Sequence, residues 1–494
     1  MATPSLAMIP SAIADSKVYS VLPNNGDGDF TFNRDSSATR VGQNGLIQTV
    51  GYFGSELITN GDFATDSDWT KGTSWTISGG VANYDNVASQ GFYQAKVLLA
   101  SVVYKVTFDY TGTGQIGFYG TSNGSNVLKT YTNYAGGSNT IYITPTSTTS
   151  SFTLWGNVTG AFTVDNVSVK EVLGDQPRLN YDISNGVVQS CPSLLLEPAS
   201  TNLVPYSENF SLWVQYGSPT IVQNIISPDG TLNGSNITRG SNQTPLRYSG
   251  ITTLGTEYTF SLYAKKGSID TMVLDIGDET NVSFTLTDEW QRFTITQTPT
   301  TYTHIDISFG TSVSGDSIYI WGAQLEQLSY ATSYIPTTGQ SAGVTRAAES
   351  CFGAGTSSTF NSTEGVLYAE ISGELSGTNR YITLSDSAIS DRVNIFFDAS
   401  NNLKGFVNGI SSISGGVAIQ ETNKCAFKYK SGDIAFWVNG IEVGTSTATL
   451  SLTGLSQLSF NLSIGGNVFY GNVKDIRVYN EALTDAQLQT LTTL

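Results

Sequence analysis

Few residues in this chain are equipped for acid–base or nucleophilic chemistry. Its 494 residues include a single histidine, His304. A Ser-His-Asp or Cys-His arrangement would have to draw all of its general-base work from that one imidazole, and no GxSxG nucleophile turn accompanies it. His304 sits in the alternating stretch THIDISF (303–309), on the polar side with Asp306 and Ser308, and reads as an exposed strand histidine. The cysteines, Cys191, Cys351 and Cys425, are far apart and odd in number. They form neither a disulfide framework nor a zinc-ligand spacing, and they suit folding in a reducing compartment. Glu370 and Glu374 share one face of a predicted strand. Glycoside hydrolysis needs two carboxylates held across the scissile bond, one with a raised pKa. Gly373 loosens the strand between the two glutamates, so both read as solvated charges. No catalytic residue is expected.

The elements that would position any site are strands. Period-2 alternation recurs in short runs bounded by Gly, Asn and Ser, and helix-period stretches are nearly absent. In YKVTFDY (104–110), Tyr104, Val106, Phe108 and Tyr110 share a face. In 303–309, Ile305, Ile307 and Phe309 do the same. The 51 glycines and the many tyrosines and phenylalanines fit short strands joined by tight turns. A net charge of −17 without a Lys/Arg cluster argues against nucleic acid and against anionic lipid surfaces. No apolar run approaches the ~18 residues of a membrane span. The opening MATPSLAMIPSAIADSK carries Ala12 and Ala14 in Ala-x-Ala spacing but has no basic start. Pro4 and Pro10 interrupt its apolar part, so it does not read as a signal peptide.

The chain repeats itself. One unit runs from ELITNGDFATDSDW at Glu56 to FTVDNVSVKEV at 162–172. A second opens with NLVPYSENFSLW at Asn202 and closes with IYIWGAQLEQL at 318–328. Each places an apolar pair, an acidic residue, a Phe and a Trp (Trp69, Trp213) in that order. Each has the size of one β-sandwich or jelly roll. The expected architecture is all-β: an N-terminal docking segment (1–55), a jelly roll (56–172), a structured linker (173–201), a second jelly roll with its connector (202–345), and a C-terminal β-sandwich (346–494). The last unit ends in a short helix capped by Asn480 or Thr484, with Ala482, Leu483, Ala486, Leu488 and Leu491 at helical spacing.

Three segments, FTFNRDSSATRVGQNGLIQTV (30–50), CPSLLLEPASTNLVPYSENFSLW (191–213) and WGAQLEQLSYATSYIPTTGQSAGVTRAAE (321–349), resemble modules of tailed-bacteriophage virion proteins of the tail-fibre, head-fibre or spike type. The two repeats resemble carbohydrate-binding jelly rolls. The C-terminal unit, through FWVNGIEVGT (436–445) and LSIGGNVFYGNVKDIRVYNEALTDAQLQTL (462–491), resembles laminin-G and concanavalin A-like sandwiches. The resemblance implies a virion adhesin that is anchored to other virion proteins by its N-terminal segment, contacts host-surface polysaccharide and is assembled as a homo-oligomer, a trimer by analogy. The alternative it leaves open is a capsid or tail decoration or connector that binds no glycan. A polysaccharide depolymerase is the third reading. Laminarinase-like enzymes of the concanavalin type carry an Asp between their paired glutamates, where this chain has Ser372.

In the jelly rolls that this chain resembles, a structural Ca²⁺ often ties the first strand to the last. Asp62 and Asp165 occupy the matching places in the first repeat, with backbone carbonyls to complete the shell. Turn-capping by the same carboxylates is the competing role. In the second repeat Glu208 stands for Asp62, and the closing strand has no carboxylate before Glu326. Glycan platforms would be aromatic, because a sugar's C–H face stacks on an exposed ring. The candidates are Trp75, Tyr93, Tyr119, Tyr131, Tyr134 and Trp155, with Trp290 and Tyr470 elsewhere. Trp75, Trp155, Trp321 and Trp437 lie in alternating strands and are expected to fill cores.

Overall fold

The computed structural model describes every residue except 1, 15, 174–175, 185–186, 243, 311–312, 338, 341, 375–376, 387–389, 417–419, 421 and 463–465. The regular structure of the described residues is almost all strand, with one short α-helix at the C-terminal end. None of their helices is long and apolar enough to cross a membrane. The chain divides into two units. One comprises residues 1–50, 174–199 and 347–494, and the other comprises 51–173 and 200–346.

The first unit is a sandwich assembled from three separate stretches of chain. Its larger sheet runs in the order Arg178–Asn180, Ser193–Leu196, Gly471–Tyr479, Glu364–Gly373, Asn423–Lys430, Ile434–Val438, Ile441–Ser446, and Leu6–Met8 also pairs with Gly471–Tyr479. The facing sheet is Ile413–Ser414, Leu403–Val407, Arg392–Phe397, Arg380–Ser385 and Gln457–Ser459. Within the expected docking segment and structured linker, residues 1–50 and 174–199 give apolar side chains to a shared core: Leu6, Met8, Val18, Phe30, Phe32, Leu194 and Leu196 are buried with Leu367, Ile395, Phe427, Phe436 and Ile476. The physical reason is size, since some fifty residues cannot enclose a core of their own.

The helix Asp485–Thr492 lies on the outer face of the larger sheet. There Leu483, Leu488 and Leu491 cover Trp437, Tyr368 and Tyr479. Thr484 is the N-cap, and its hydroxyl and Gln487 form a reciprocal capping box. Asn480 is not the cap. Its carboxamide bonds Asn361 and Thr359 instead. Half of the Gly465-Gly466 turn that helped mark this unit lies outside the described residues.

Charged side chains hold the three stretches together. Arg34, Arg178, Glu197 and Glu349 are fully buried. Glu349 accepts from Arg34 Nη1 at 2.9 Å and from Arg178 Nε at 2.8 Å, and a second contact joins it to Arg178 Nη2. Arg178 Nη2 also meets Glu197 at 2.7 Å. The remaining guanidinium donors reach backbone carbonyls of Ser36, Thr39 and Gln176. Two cations face two anions, so the set closes on itself.

The second unit holds the two jelly rolls, and they share one strand order. In the first, the sheet Trp75–Ser78, Val81–Tyr84, Phe162–Leu173, Tyr104–Gly112, Gly137–Ile143 faces Thr70–Lys71, Gln90–Gln94, Phe152–Asn157, Gln115–Tyr119, Val127–Thr132. In the second, Thr220–Ile225, Gly234–Thr238, Ser317–Glu326, Tyr258–Lys266, Gln291–Gln297 faces Val214–Gln215, Leu246–Ser249, His304–Ser308, Thr271–Ile276, Val282–Thr285. Each has its own core. Tyr104, Val106, Phe108 and Tyr110 are buried in the first, and Ile305, Ile307 and Phe309 in the second, as alternation predicts.

Removing one member of a buried ion network leaves an uncompensated charge and typically costs about 3–5 kcal/mol. Arg178→Met is therefore expected to destabilise the first unit by that amount in urea unfolding. A loss below about 1 kcal/mol, the range of exposed pairs, would show that the network does not hold the three stretches together.

Candidate functional site

In each jelly roll, one face of the second-named sheet supplies the core, and the opposite face carries the residues of interest. Along Phe152–Asn157, Phe152 and Leu154 point into the core, and Thr153, Trp155 and Asn157 point away. Trp155 thus departs from its expected core role, because its register places it on the non-core face. Its neighbours in the sheet are Gly91 on one side and Gly117 on the other. A Cβ at Gly91 would stand 3.0 Å from the indole, and one at Gly117 2.9 Å from the Tyr119 ring. The two glycines make the space in which these rings lie against the sheet.

Tyr119 packs edge-on against Trp155, with centroids 5.8 Å apart, and against Tyr131 at 6.0 Å. Trp155 Nε1 donates to Ser89 Oγ at 2.9 Å, and Ser89 Oγ lies 3.4 Å from the Tyr131 hydroxyl. Burial, reinforced by Tyr131, pushes the Tyr119 phenol up, so it stays a neutral donor. Trp155, Tyr131 and Tyr93 are each partly exposed. Three of the expected platform residues, Trp155, Tyr119 and Tyr131, therefore meet in one patch. Trp75 and Tyr134 do not join it, because both belong to the core. Trp321 and Trp437 are buried as expected. Trp290 covers Lys265 in the second jelly roll, and Tyr470 packs against the core of the other unit.

The second jelly roll has a corresponding row with different chemistry. Across the same three strands, Arg247 pairs with Asp306 and Asp306 with Asp275. Arg247 makes a two-point contact with Asp306, at 2.7 and 2.6 Å. His304, expected to be exposed, is only 4 % exposed. It is enclosed by Asp278, 3.2 Å from Nε2, by Asp306 at 3.7 Å, and by the Tyr302 ring. Asp275 is 2 % exposed. Its Oδ1 accepts the Asp278 amide at 2.5 Å, and its Oδ2 has no hydrogen-bond partner. Burial pushes the Asp275 carboxyl up, and the Asp278 and Asp306 charges add to this against the help of backbone N–H groups. Sequence reasoning missed Arg247, Asp275 and Asp278, since only strand pairing brings them to His304.

Asp62 and Asp165 each accept a local amide, from Ala64 at 3.4 Å and Asn166 at 2.7 Å. Among the described residues, neither gathers with two further Asp, Glu, Cys or His ligands. The opening and closing segments of this jelly roll are tied by protein bonds. Val167 donates to the Gly61 carbonyl at 2.8 Å, and the Glu56 carboxylate takes Val169 N at 2.9 Å and Ser168 Oγ at 2.5 Å. In the second repeat, Glu208 and Glu326 have separate partners. Glu208 binds Lys129 at 2.8 Å, Asn233 and Tyr334, beside a cleft of about 390 Å³. Burial alone would depress the Lys129 ammonium, but the Glu208 carboxylate raises it. Glu326 is buried and accepts from Ser200 and Thr332. Glu370 stands opposite Lys424 and Asp475, and Glu374 follows the strand's end at Gly373.

No protein-family model matches the sequence, and no curated protein matches it. Solved structures match parts of the chain. The CBM40 domain of the Ruminococcus gnavus IT-sialidase, bound to α2,3-sialyllactose, matches at 13% identity over 27% of this chain and 84% of that one, with a TM-score of 0.25. Domain 4 of AbnA, a GH43 extracellular arabinanase from Geobacillus stearothermophilus, in complex with arabinotriose, matches at 14% identity over 30% and 73%, with a TM-score of 0.25. The CBM22-1–CBM22-2 tandem of Paenibacillus barcinonensis Xyn10C matches at 11% identity over 56% and 98%, with a TM-score of 0.20. At such identities and scores, none of these likenesses says what this chain binds.

Glu56→Gln removes the charge from the strand staple and is expected to cost about 1–3 kcal/mol in a melt that follows the first jelly roll. EDTA is expected to leave the melt of the first jelly roll unmoved in the wild-type protein. A fall in Tm on chelation that Asp62→Asn abolishes would instead place a calcium ion at Asp62 and Asp165.

Proposed function

We propose that this chain is a non-enzymatic glycan-binding protein, and that the Trp155–Tyr119–Tyr131 patch is its sugar platform. The observation that carries this reading is the placement of Trp155. A large indole stands on the non-core face, flanked by two glycines that clear the surface around it. Aromatic rings with polar handles offer a sugar both a stacking surface and hydrogen-bond partners. Here the handles are the Tyr131 hydroxyl, Ser89 and the nearby Asn157, which bonds Gln115.

The finer part of the proposal is a virion fibre or spike adhesin. It rests on the resemblance of segments 30–50, 191–213 and 321–349 to tailed-phage virion proteins. On this reading the protein resides in the virion, and several copies add weak glycan contacts through effective concentration. The test is binding of labelled full-length protein to surface polysaccharide extracted from candidate host cells. Saturable binding competed by free polysaccharide is expected, and Trp155→Ala should weaken it roughly tenfold or more. Absence of binding by folded protein in its native oligomeric form would favour the decoration or connector reading, and absence of the protein from purified virions would remove the adhesin.

A further inference from the structure

The charged row of the second jelly roll has no counterpart in the glycan reading, and its geometry points elsewhere. One ligand atom each from Asp275, Asp278 and His304 lies within 4.8 Å of the others. We propose that these three side chains bind a divalent transition-metal cation, with Zn²⁺ the best match. His304 Nε2 and Asp278 Oδ1 are 3.2 Å apart. Two ligands each about 2.0–2.1 Å from a tetrahedral ion are separated by roughly 3.3 Å, so this edge already has the required length.

Charge supports the same assignment. Arg247 binds Asp306 at two points and reaches Asp278 Oδ1 at 3.5 Å, so one guanidinium stands against the three carboxylates of Asp275, Asp278 and Asp306 around His304. Asp275 is almost wholly buried and has one oxygen without a hydrogen-bond partner. A buried carboxylate oxygen is costly to leave unpaired, and a cation would compensate it. Asp278 supplies an entrance, since its side chain is 46 % exposed. The set contains an imidazole nitrogen and only three protein ligands. That suits zinc, which accepts mixed nitrogen and oxygen ligands with a fourth place for water, better than calcium, which takes six to eight oxygens.

An ordinary His–Asp hydrogen bond has the same separation, and the experiment must tell the two apart. His304 is the only histidine in the chain, so a tag-free protein labelled with ¹³C-histidine gives one set of imidazole C–H resonances. The EDTA-stripped and dialysed full-length chain is titrated with ZnCl₂. The imidazole resonances are expected to shift with saturation at one ion per chain. Asp278→Asn, at an exposed position that tolerates the change, should weaken this at least tenfold, as should Asp275→Asn where it folds. Asp62→Asn and Trp155→Ala should leave it unchanged, which separates the result from the calcium and glycan readings. Imidazole resonances unmoved by Zn²⁺ in folded wild-type protein, or an affinity unchanged in Asp278→Asn, would overturn the proposal. A Ca²⁺-induced shift at equal concentration would overturn the transition-metal assignment.

Discussion

The four-member set of Arg34, Arg178, Glu197 and Glu349 is the constraint on which the first unit depends. Its members come from the three separate stretches of chain that build this unit, and all four are buried. A lone guanidinium in that position would be intolerable. Two of them around two carboxylates, with the spare donors on backbone carbonyls, are satisfied only when all three stretches are in place. The network therefore sets the register of the assembly as well as its cohesion. Cys351, two residues beyond Glu349, lies in the same environment. Burial, reinforced by the Glu349 charge, pushes its thiol well up and leaves it inert as a nucleophile.

The two jelly rolls show how one scaffold carries two chemistries. Their sheets have the same strand order, and a three-residue row crosses the same three strands in each. In the first the row is Gly91, Trp155, Gly117. In the second it is Arg247, Asp306, Asp275. The core faces of both remain apolar, because packing limits what they can accept. The opposite faces differ, one carrying an aromatic row and the other a charged one.

Much of the fold was legible because alternation reports which side of a strand is buried. Tyr104, Val106, Phe108 and Tyr110 needed no further information, whereas the cap of the final helix stayed open between Asn480 and Thr484 until the structure placed it at Thr484. Alternation does not say which neighbouring strand a residue meets. His304 therefore read as exposed, although Asp278 and Asp306 enclose it, and Trp155 read as core, although Gly91 and Gly117 open a place for it outside. The same limit hid the buried ion network. Arg34, Glu197 and Glu349 lie in the three segments that resemble virion modules and Arg178 in the linker, but each alone looks like an ordinary surface charge. Only the pairing of strands distant in sequence brings them together.

The strand Leu6–Met8 pairs with Gly471–Tyr479, and Ser5 Oγ reaches the carbonyl of Val478 across 473 residues of sequence. Residues 6–8 thus find their place only when residues 471–479 have appeared. During synthesis Leu6, Met8, Phe30 and Phe32 must wait without their core, while each jelly roll can close as soon as its own strands are complete. Contacts of such long range are slow to form, because the loop entropy is lost before the contact rewards it. Folding of the first unit therefore has to follow synthesis of both jelly rolls, and its waiting apolar strands are the part of the nascent chain most in need of shielding from other chains.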